Sequence, residues 1–245
     1  MSTPPLFHVP AASLADDVVV LDGAEGRHAA RVRRVRPGER VLLSDGAGAL
    51  VTCDVTAADR DTLTCAVVER REVPPAEPRL VVVQALAKGD RAEQAVETMT
   101  EAGVDEIVPW QAERCVVRWR DDRAERSAQR WRATATEAAK QSRRAWTPMV
   151  PEVMSTSAVL ERLAAASLAA VLDADRGEPV TAVDIPATGE LVLVVGPEGG
   201  VSPAETVAFA GAGVRFLRLG PTVLRSATAG TVAAAALLSR TRRWA

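Results

Sequence analysis

Apolar and polar positions follow two different grammars along the chain, and the change falls at a proline-rich stretch. Before it, residues 18–21, 40–43, 49–55 and 62–68 are short β-rich runs, separated by Asp22-Gly23, Pro37-Gly38, Asp45-Gly46 and Asp59-Arg60-Asp61. Closely spaced strands with turn residues between them predict a small barrel, with one helix over residues 24–32 inside it. Pro74-Pro75-Ala76-Glu77-Pro78 stiffens the chain and cannot continue a strand ladder. Residues 1–73 therefore read as one β-rich domain and 74–79 as a linker.

Beyond the linker strands and helices alternate. Residues 80–87 form a continuous apolar run, expected of a strand covered on both faces. Asp90 stands three before Glu93, which predicts a capping box, and Gly103 ends the helix that follows. Strands are expected over 106–110, 168–172, 191–195 and 214–219, a long helix over 121–144 and a shorter one over 156–166. Ser202-Pro203-Ala204-Glu205 supplies a capping serine, a proline at the first helical position and a glutamate at the third. That helix should stop at Gly211-Ala212-Gly213, and an alanine-rich helix closes the chain. Residues 80–245 thus predict a parallel α/β domain behind the β-rich one.

Composition narrows the chemistry. Of 245 residues, 47% are hydrophobic and 25% charged, which is ordinary globular usage. The start, Met1-Ser2-Thr3-Pro4-Pro5-Leu6, has no basic region leading into an apolar run, and residues 233–238 are far too short to span a membrane. A soluble, cytoplasmic protein is the expectation. Cys53, Cys65 and Cys115 are odd in number and lack C-x-x-C spacing, which fits reduced thiols. With His8 and His28 as the two histidines, neither a histidine-rich metal site nor a serine triad is expected.

The net charge is −2, yet the charge is unevenly placed. Residues 27–40 hold six arginines and one acid, and residues 111–144 hold ten basic residues and five acids. Two basic segments on a near-neutral protein are the footprint of a structured anionic partner. A solvated helix laced with ion pairs gives the same count, and charge alone does not choose between the two.

Two buried strands run into glycine-proline turns: Leu191-Val192-Leu193-Val194-Val195 into Gly196-Pro197-Glu198-Gly199-Gly200, and Phe216-Leu217-Arg218-Leu219 into Gly220-Pro221. Strands that end side by side in loops of little bulk leave a crevice lined by backbone groups, where open α/β sheets bind ligands. One such turn alone reads more simply as a tight strand-to-helix connection. G-x-x-x-x-G-K-[ST] and G-x-G-x-x-G are both absent. Leu217, Leu219 and Leu224 offer an apolar wall and the Gly220 backbone can bond a polar edge, the mixture a flat, partly polar ligand needs.

The wording of these turns resembles the rRNA uridine-N3 methyltransferases of the knotted SPOUT class. Lys88-Gly89-Asp90-Arg91 with the block from Glu101 to Ile107, Glu137-Ala138-Ala139-Lys140-Gln141-Ser142-Arg143-Arg144, the Gly196 turn and the segment from Leu217 to Ala229 carry the resemblance in the family's order. It implies a PUA-like barrel for RNA, a SPOUT domain whose C-terminal segment is tied in a deep trefoil knot, and a homodimer. It also implies S-adenosyl-L-methionine held by Leu172, Gly196, Glu198, Gly199, Gly200, Leu217, Leu219, Gly220, Leu224 and Ala229. The family commonly carries an acid where this chain has Ala227, so a role resting on that acid has no bearer here.

Methylation at uridine N3 removes a weakly acidic imide proton, and a cation near the uracil carbonyls stabilises the developing anion. Arg225 is the candidate for that role, with the Ser226 or Thr228 hydroxyl positioning the base; no general base stands out. RNA contacts are expected from Arg27, Arg31, Arg33 and Arg34 in the barrel and from Lys88, Arg91, Arg114, Arg118, Arg143 and Arg144 beyond it. Phosphate contacts read no sequence, and the chain has no Tyr and three Phe, although Trp119, Trp131 and Trp146 could stack on bases. The expected partner is 16S rRNA, recognised by shape on the assembled small subunit. Two alternatives stand beside this reading: a non-catalytic RNA-binding or ribosome-assembly protein, and a SPOUT enzyme acting on tRNA or a ribose 2′-hydroxyl.

Overall fold

The computed structural model describes residues 3–120 and 122–244, without the side chains of residues 122 and 123. Chain contacts separate two units: residues up to Pro75 together with Ala139–Thr147, and Ala76–Ala138 together with the chain from Pro148 onward.

The first unit is built on a five-stranded sheet. Its elements are β1 (Leu6–His8), β2 (Val18–Leu21), α1 (Gly23–Arg27), β3 (Arg40–Ser44), β4 (Ala49–Ala58) and β5 (Leu63–Glu72), in the sheet order β1-β3-β4-β5-β2. Strand β2 shows the half-buried alternation expected of it, with Val19 and Leu21 buried and Val18 and Val20 exposed. Phe7, Leu21, Leu43, Cys53, Leu63 and Cys65 lie in its core. β1, which the sequence reading passed over, adds to the edge of β3 in parallel. The helix expected over 24–32 is one α-turn that widens into a π-turn at His28–Val32.

Ala139–Thr147 falls inside the second domain expected from sequence but packs with the first unit. The Lys140 ammonium, 7% exposed, meets the Glu25 carboxylate at 2.6 Å, and the Trp146 indole N–H donates to the Val73 carbonyl at 2.8 Å. A buried lysine of this kind persists as a cation only with such a partner.

The second unit carries a fully parallel six-stranded sheet, β7-β6-β10-β8-β11-β9. The strands are β6 (Arg79–Ala85), β7 (Glu106–Trp110), β8 (Leu168–Leu172), β9 (Glu178–Pro179), β10 (Glu190–Val195) and β11 (Arg215–Arg218). Helices α2 (Asp90–Glu101), α4 (Thr156–Ala164), α5 (Pro203–Gly211), α6 (Ser226–Leu238) and, up to Ala138, α3 (Asp122–Gln141) complete it. Leu80–Val83 and Leu191–Val194 are wholly buried, as helices on both faces of a parallel sheet require.

The sequence start for α3, Asp121, lies outside the described residues; the helix ends at Gln141, earlier than residue 144, where Arg143 turns to a φ of +56°. The capping box expected at Asp90 does not form. Asp90 is already helical, and Gly89 at φ +65° supplies the N-terminal turn without a side-chain cap. At Ser202 the capping box is present in full, with Pro203 in the first turn.

Charged groups close the edge of the sheet where the strands begin. Arg79 opens β6 and donates to Glu106 of β7 at 2.7 Å and to Glu190 of β10; Arg162 of α4 reaches the same two carboxylates at 2.8 and 3.0 Å. Burial lowers the Arg79 pKa and the two carboxylates more than reverse that, leaving it raised. The opposite edge, where the strands end, is left to the loops.

Candidate active site

Three neighbouring strands, β10, β8 and β11, end together at that opposite edge. The loops that leave them enclose a crevice of about 620 Å³. Leu172 closes β8, the Gly196 turn follows β10, and the Gly220 turn follows β11. Gly196, Glu198, Gly199 and Gly200 form one wall, and Leu217, Leu219, Gly220 and Leu224 another. Ala229 lines the crevice from α6, so every cofactor position expected from sequence borders it. Gly200 has φ +73° and Gly220 φ +138°, and a Cβ on either would meet no atom within 4 Å. Both turns need glycine for backbone conformation, and the openness beside them leaves room for a ligand.

One hydroxyl ties the two turns together. Ser226 Oγ, at the start of α6, donates to the Gly196 carbonyl at 2.7 Å. The same oxygen accepts from Gln84 Nε2 at 3.0 Å, and that amide also donates to the Ala85 carbonyl at 3.1 Å. Gln84 is 1% exposed at the end of β6, and its Oε1 has no partner among the described residues. Ser226 thereby spends its proton on holding the turns and keeps one lone pair toward the crevice it borders. Thr228, the other hydroxyl expected to position the base, is exposed and does not line the crevice. Arg225 borders the crevice as the residue capping α6, with an exposed side chain. Ala227 also faces the crevice.

A family model described as an RNA methyltransferase domain matches residues 75–238, and one described as an RNA methyltransferase PUA domain matches residues 21–68. Over 243 residues the chain is 46% identical to the ribosomal RNA small subunit methyltransferase E of Mycobacterium bovis, covering 98% of this chain and 93% of that protein. The chain belongs to the small-subunit rRNA methyltransferase E family. The Bacillus subtilis member is 30% identical over 232 residues, covering 90% of each chain. The Neisseria gonorrhoeae member, in a crystal structure bound to S-adenosyl methionine, superposes with a TM-score of 0.86 at 27% identity, covering 98% of both chains.

Set in that family, the crevice has a part that the sequence reading missed. A third turn, Asp173-Ala174-Asp175-Arg176, follows β8 and borders the crevice. Asp173 Oδ1 accepts the backbone N–H groups of Asp175 at 2.9 Å and Arg176 at 3.1 Å, while the Asp173 N–H donates to the Leu217 carbonyl at 3.0 Å. The sequence signal was the aspartate at the end of an apolar run, an Asx-turn former. Gln84 was missed too, although a lone amide inside Val81-Val82-Val83-Gln84-Ala85 marks a buried polar group that needs partners.

The arginines expected on RNA fall into two groups. Arg27, Arg33 and Arg34 are exposed on the first unit and make no ion pair among the described residues, and Lys88 is likewise exposed on the second. Arg91 and Arg114 border the crevice, and Arg114 donates to the Gly199 carbonyl at 3.0 Å. Others are engaged within the fold. Arg31 pairs with Asp61 through bonds of 2.6 and 2.8 Å, and Arg143 bonds the Pro4 carbonyl at 2.9 Å. Arg118 bonds the Glu113 carbonyl at 2.8 Å, and Arg144 is half-buried. Among the described residues there is no cluster that could hold a metal ion and no helix long and apolar enough to cross a membrane.

Proposed function

We infer that the protein methylates N3 of a uridine in 16S rRNA with S-adenosyl-L-methionine as donor, acting on the assembled small subunit. The observation that carries the reading is the crevice itself: two glycine turns joined through Ser226, at the strand ends of a domain matched by an RNA methyltransferase model. Its chemistry suits the donor. Leu172, Leu217, Leu219 and Leu224 give an apolar bed for an adenine ring, and backbone groups of the turns can bond its edge. Arg91 and Arg114 can take the carboxylate of the methionine moiety, and Glu198, Asp173 and Asp175 offer negative charge to its cationic groups. When bound, the donor supplies an electrophilic methyl on sulfur.

The chain's own contribution is positioning and electrostatics. Arg225 sits at the N-terminus of a thirteen-residue helix, so its guanidinium and the positive end of the helix dipole reinforce one another beside the crevice. An enolate-like uracil anion, formed as the N3 proton passes to solvent water and before N3 takes the methyl, is stabilised there.

The same reading includes the trefoil knot of the SPOUT class. Its support is the strand order, with β10 lying between β6 and β8, and the return of α6 onto α2, β6 and β10. It includes a homodimer, supported by the absence of any charged side chain along α6 and by Val232 standing outward from it. Work in the cytoplasm follows from the rRNA substrate and suits three free, buried thiols. The Arg27, Arg33 and Arg34 group and Lys88 would engage phosphates.

A binding-only protein is the second reading, favoured by Ala227 alone. Labelled methyl transfer to small subunits lacking the modification separates the two. The enzyme incorporates label, more on subunits than on naked 16S rRNA. No incorporation, together with no binding of the donor by calorimetry, selects the binding-only protein.

A further inference from the structure

Beside the crevice lies a second cavity, of about 680 Å³, to which the reaction assigns no part. Trp119, Val153 and Met154 give it an apolar surface, while Gln111, Arg118 and Thr156 bring polar groups to its wall. Its indole is held in place from two sides. The Trp131 ring packs edge-on against it with centroids 5.2 Å apart at 78°, and the Trp119 backbone N–H donates to Gln111 Oε1 at 3.0 Å. Gln111 Nε2 in turn donates to the Val117 carbonyl at 3.0 Å, so the loop carrying the ring is tied to itself. The Trp110 and Trp146 indole N–H groups are bonded within the fold, to Thr156 and Val73, whereas that of Trp119 donates to no described residue. A half-exposed, fixed indole whose N–H donates to no described residue is a stacking platform with a polar edge.

The cavity and the crevice share their partition. Glu113 lines the cavity and the next residue, Arg114, lines the crevice; Ala204 and Glu205 face the cavity and Thr206 the crevice. Glu205, 5% exposed, fixes the partition by accepting the Glu113 N–H at 2.8 Å, the Thr156 hydroxyl at 3.0 Å and the Ser202 N–H at 3.0 Å. One loop and the first turn of one helix therefore separate the two recesses.

We propose that this cavity is a subsite for an unpaired nucleobase of the RNA, stacked on Trp119, next to the nucleotide that is methylated. The subsite rests on the rRNA reading above and adds to it a residue that reads a base. Unpaired bases are recognised by stacking on aromatic rings and on arginine planes, and Arg118 stands in the same wall.

The test measures methyl transfer to undermodified small subunits by the full-length wild type and by Trp119→Ala, Trp119→Phe and Ala204→Glu. Donor affinity and sedimentation are followed in parallel. Trp119→Ala should raise the apparent KM for subunits about tenfold or more, with kcat, donor affinity and mass unchanged. Trp119→Phe, which keeps a π face, should recover most of that loss. Ala204→Glu leaves the tryptophan pair intact and places a carboxylate at the cavity rim, and it should also raise KM; it decides the matter if Trp119→Ala does not fold. Unchanged KM in all three variants overturns the subsite while leaving the methyltransferase reading in place. A change in sedimentation with KM unaltered overturns it in favour of a contact with a second copy of the chain. A wild type that labels no RNA overturns the rRNA reading and the subsite with it.

Discussion

Ser226 Oγ and the Gly196 carbonyl oxygen, thirty residues apart in the chain, lie 2.7 Å from each other and join the two turns that frame the crevice. The bond is largely buried, and Gln84 completes it from β6. Ser226→Ala leaves the Gly196 carbonyl and the Gln84 amide short of a partner at a cost of about 1–3 kcal/mol. Because the lost bond sets the spacing of the turns, donor affinity should fall about tenfold by calorimetry. Ser226→Thr keeps the hydroxyl and should bind near the wild-type level. Equal loss in both would mean that packing, not the bond, matters at this position.

Arg225 makes a different demand. It borders the crevice from an exposed position and holds no partner among the described residues, so removing it should not harm the fold. Arg225→Ala should lower kcat roughly 100-fold, in the range seen for loss of one preorganised charge-stabilising group. Melting temperature and donor affinity should stay near wild type. Arg225→Lys should restore part of the rate, since a point charge replaces a delocalised one.

The turn after β8 depends on a glycine further along. Gly177 has φ +100°, and a Cβ there would run into the Phe216 carbonyl of β11. Gly177→Ala should therefore destabilise the protein by about 2 kcal/mol or more, read as a lowered midpoint in urea. The Asp173–Arg176 turn shares this wall, so donor affinity should fall with stability.

The paired turns were legible because their cause is local: apolar runs that stop at glycine and proline. The Ser202 cap was legible for the same reason, and it forms as its residues dictate. Asp90 carries a comparable signal yet does not cap, because Gly89 at positive φ makes the turn before it. What escaped the sequence was long-range. Ala139–Thr147 continues from an amphipathic helix, and nothing local shows that Lys140 will find Glu25 more than a hundred residues away. β1 is three residues long and exists only because β3 offers it an edge. Ser226 and Thr228 could not be told apart as site residues in a sequence, since which hydroxyl turns inward depends on how α6 lies against Gly196.

Burial pushes the Cys53 thiol up to about 11 and the Cys65 thiol up to about 12, and raises that of Cys115 as well. A folded-state pKa above the unfolded one favours the folded protein while the thiol is protonated. That contribution is complete below the unfolded value of about 8.5 and is lost as pH rises through the folded values. At pH 8 the native protein should react slowly with Ellman's reagent, and three thiols should react at once in guanidinium. Urea stability should decline from about pH 9 upward. Rapid native labelling at pH 8 would show that these thiols are not buried as described.

Nucleoside mass spectrometry of small-subunit rRNA, after transfer from labelled S-adenosyl-L-methionine by the purified protein, tests the central claim most directly. The account predicts 3-methyluridine as the labelled product, with Ala227 tolerated in place of an acid. A labelled nucleoside methylated anywhere else, or on the ribose, would contradict it.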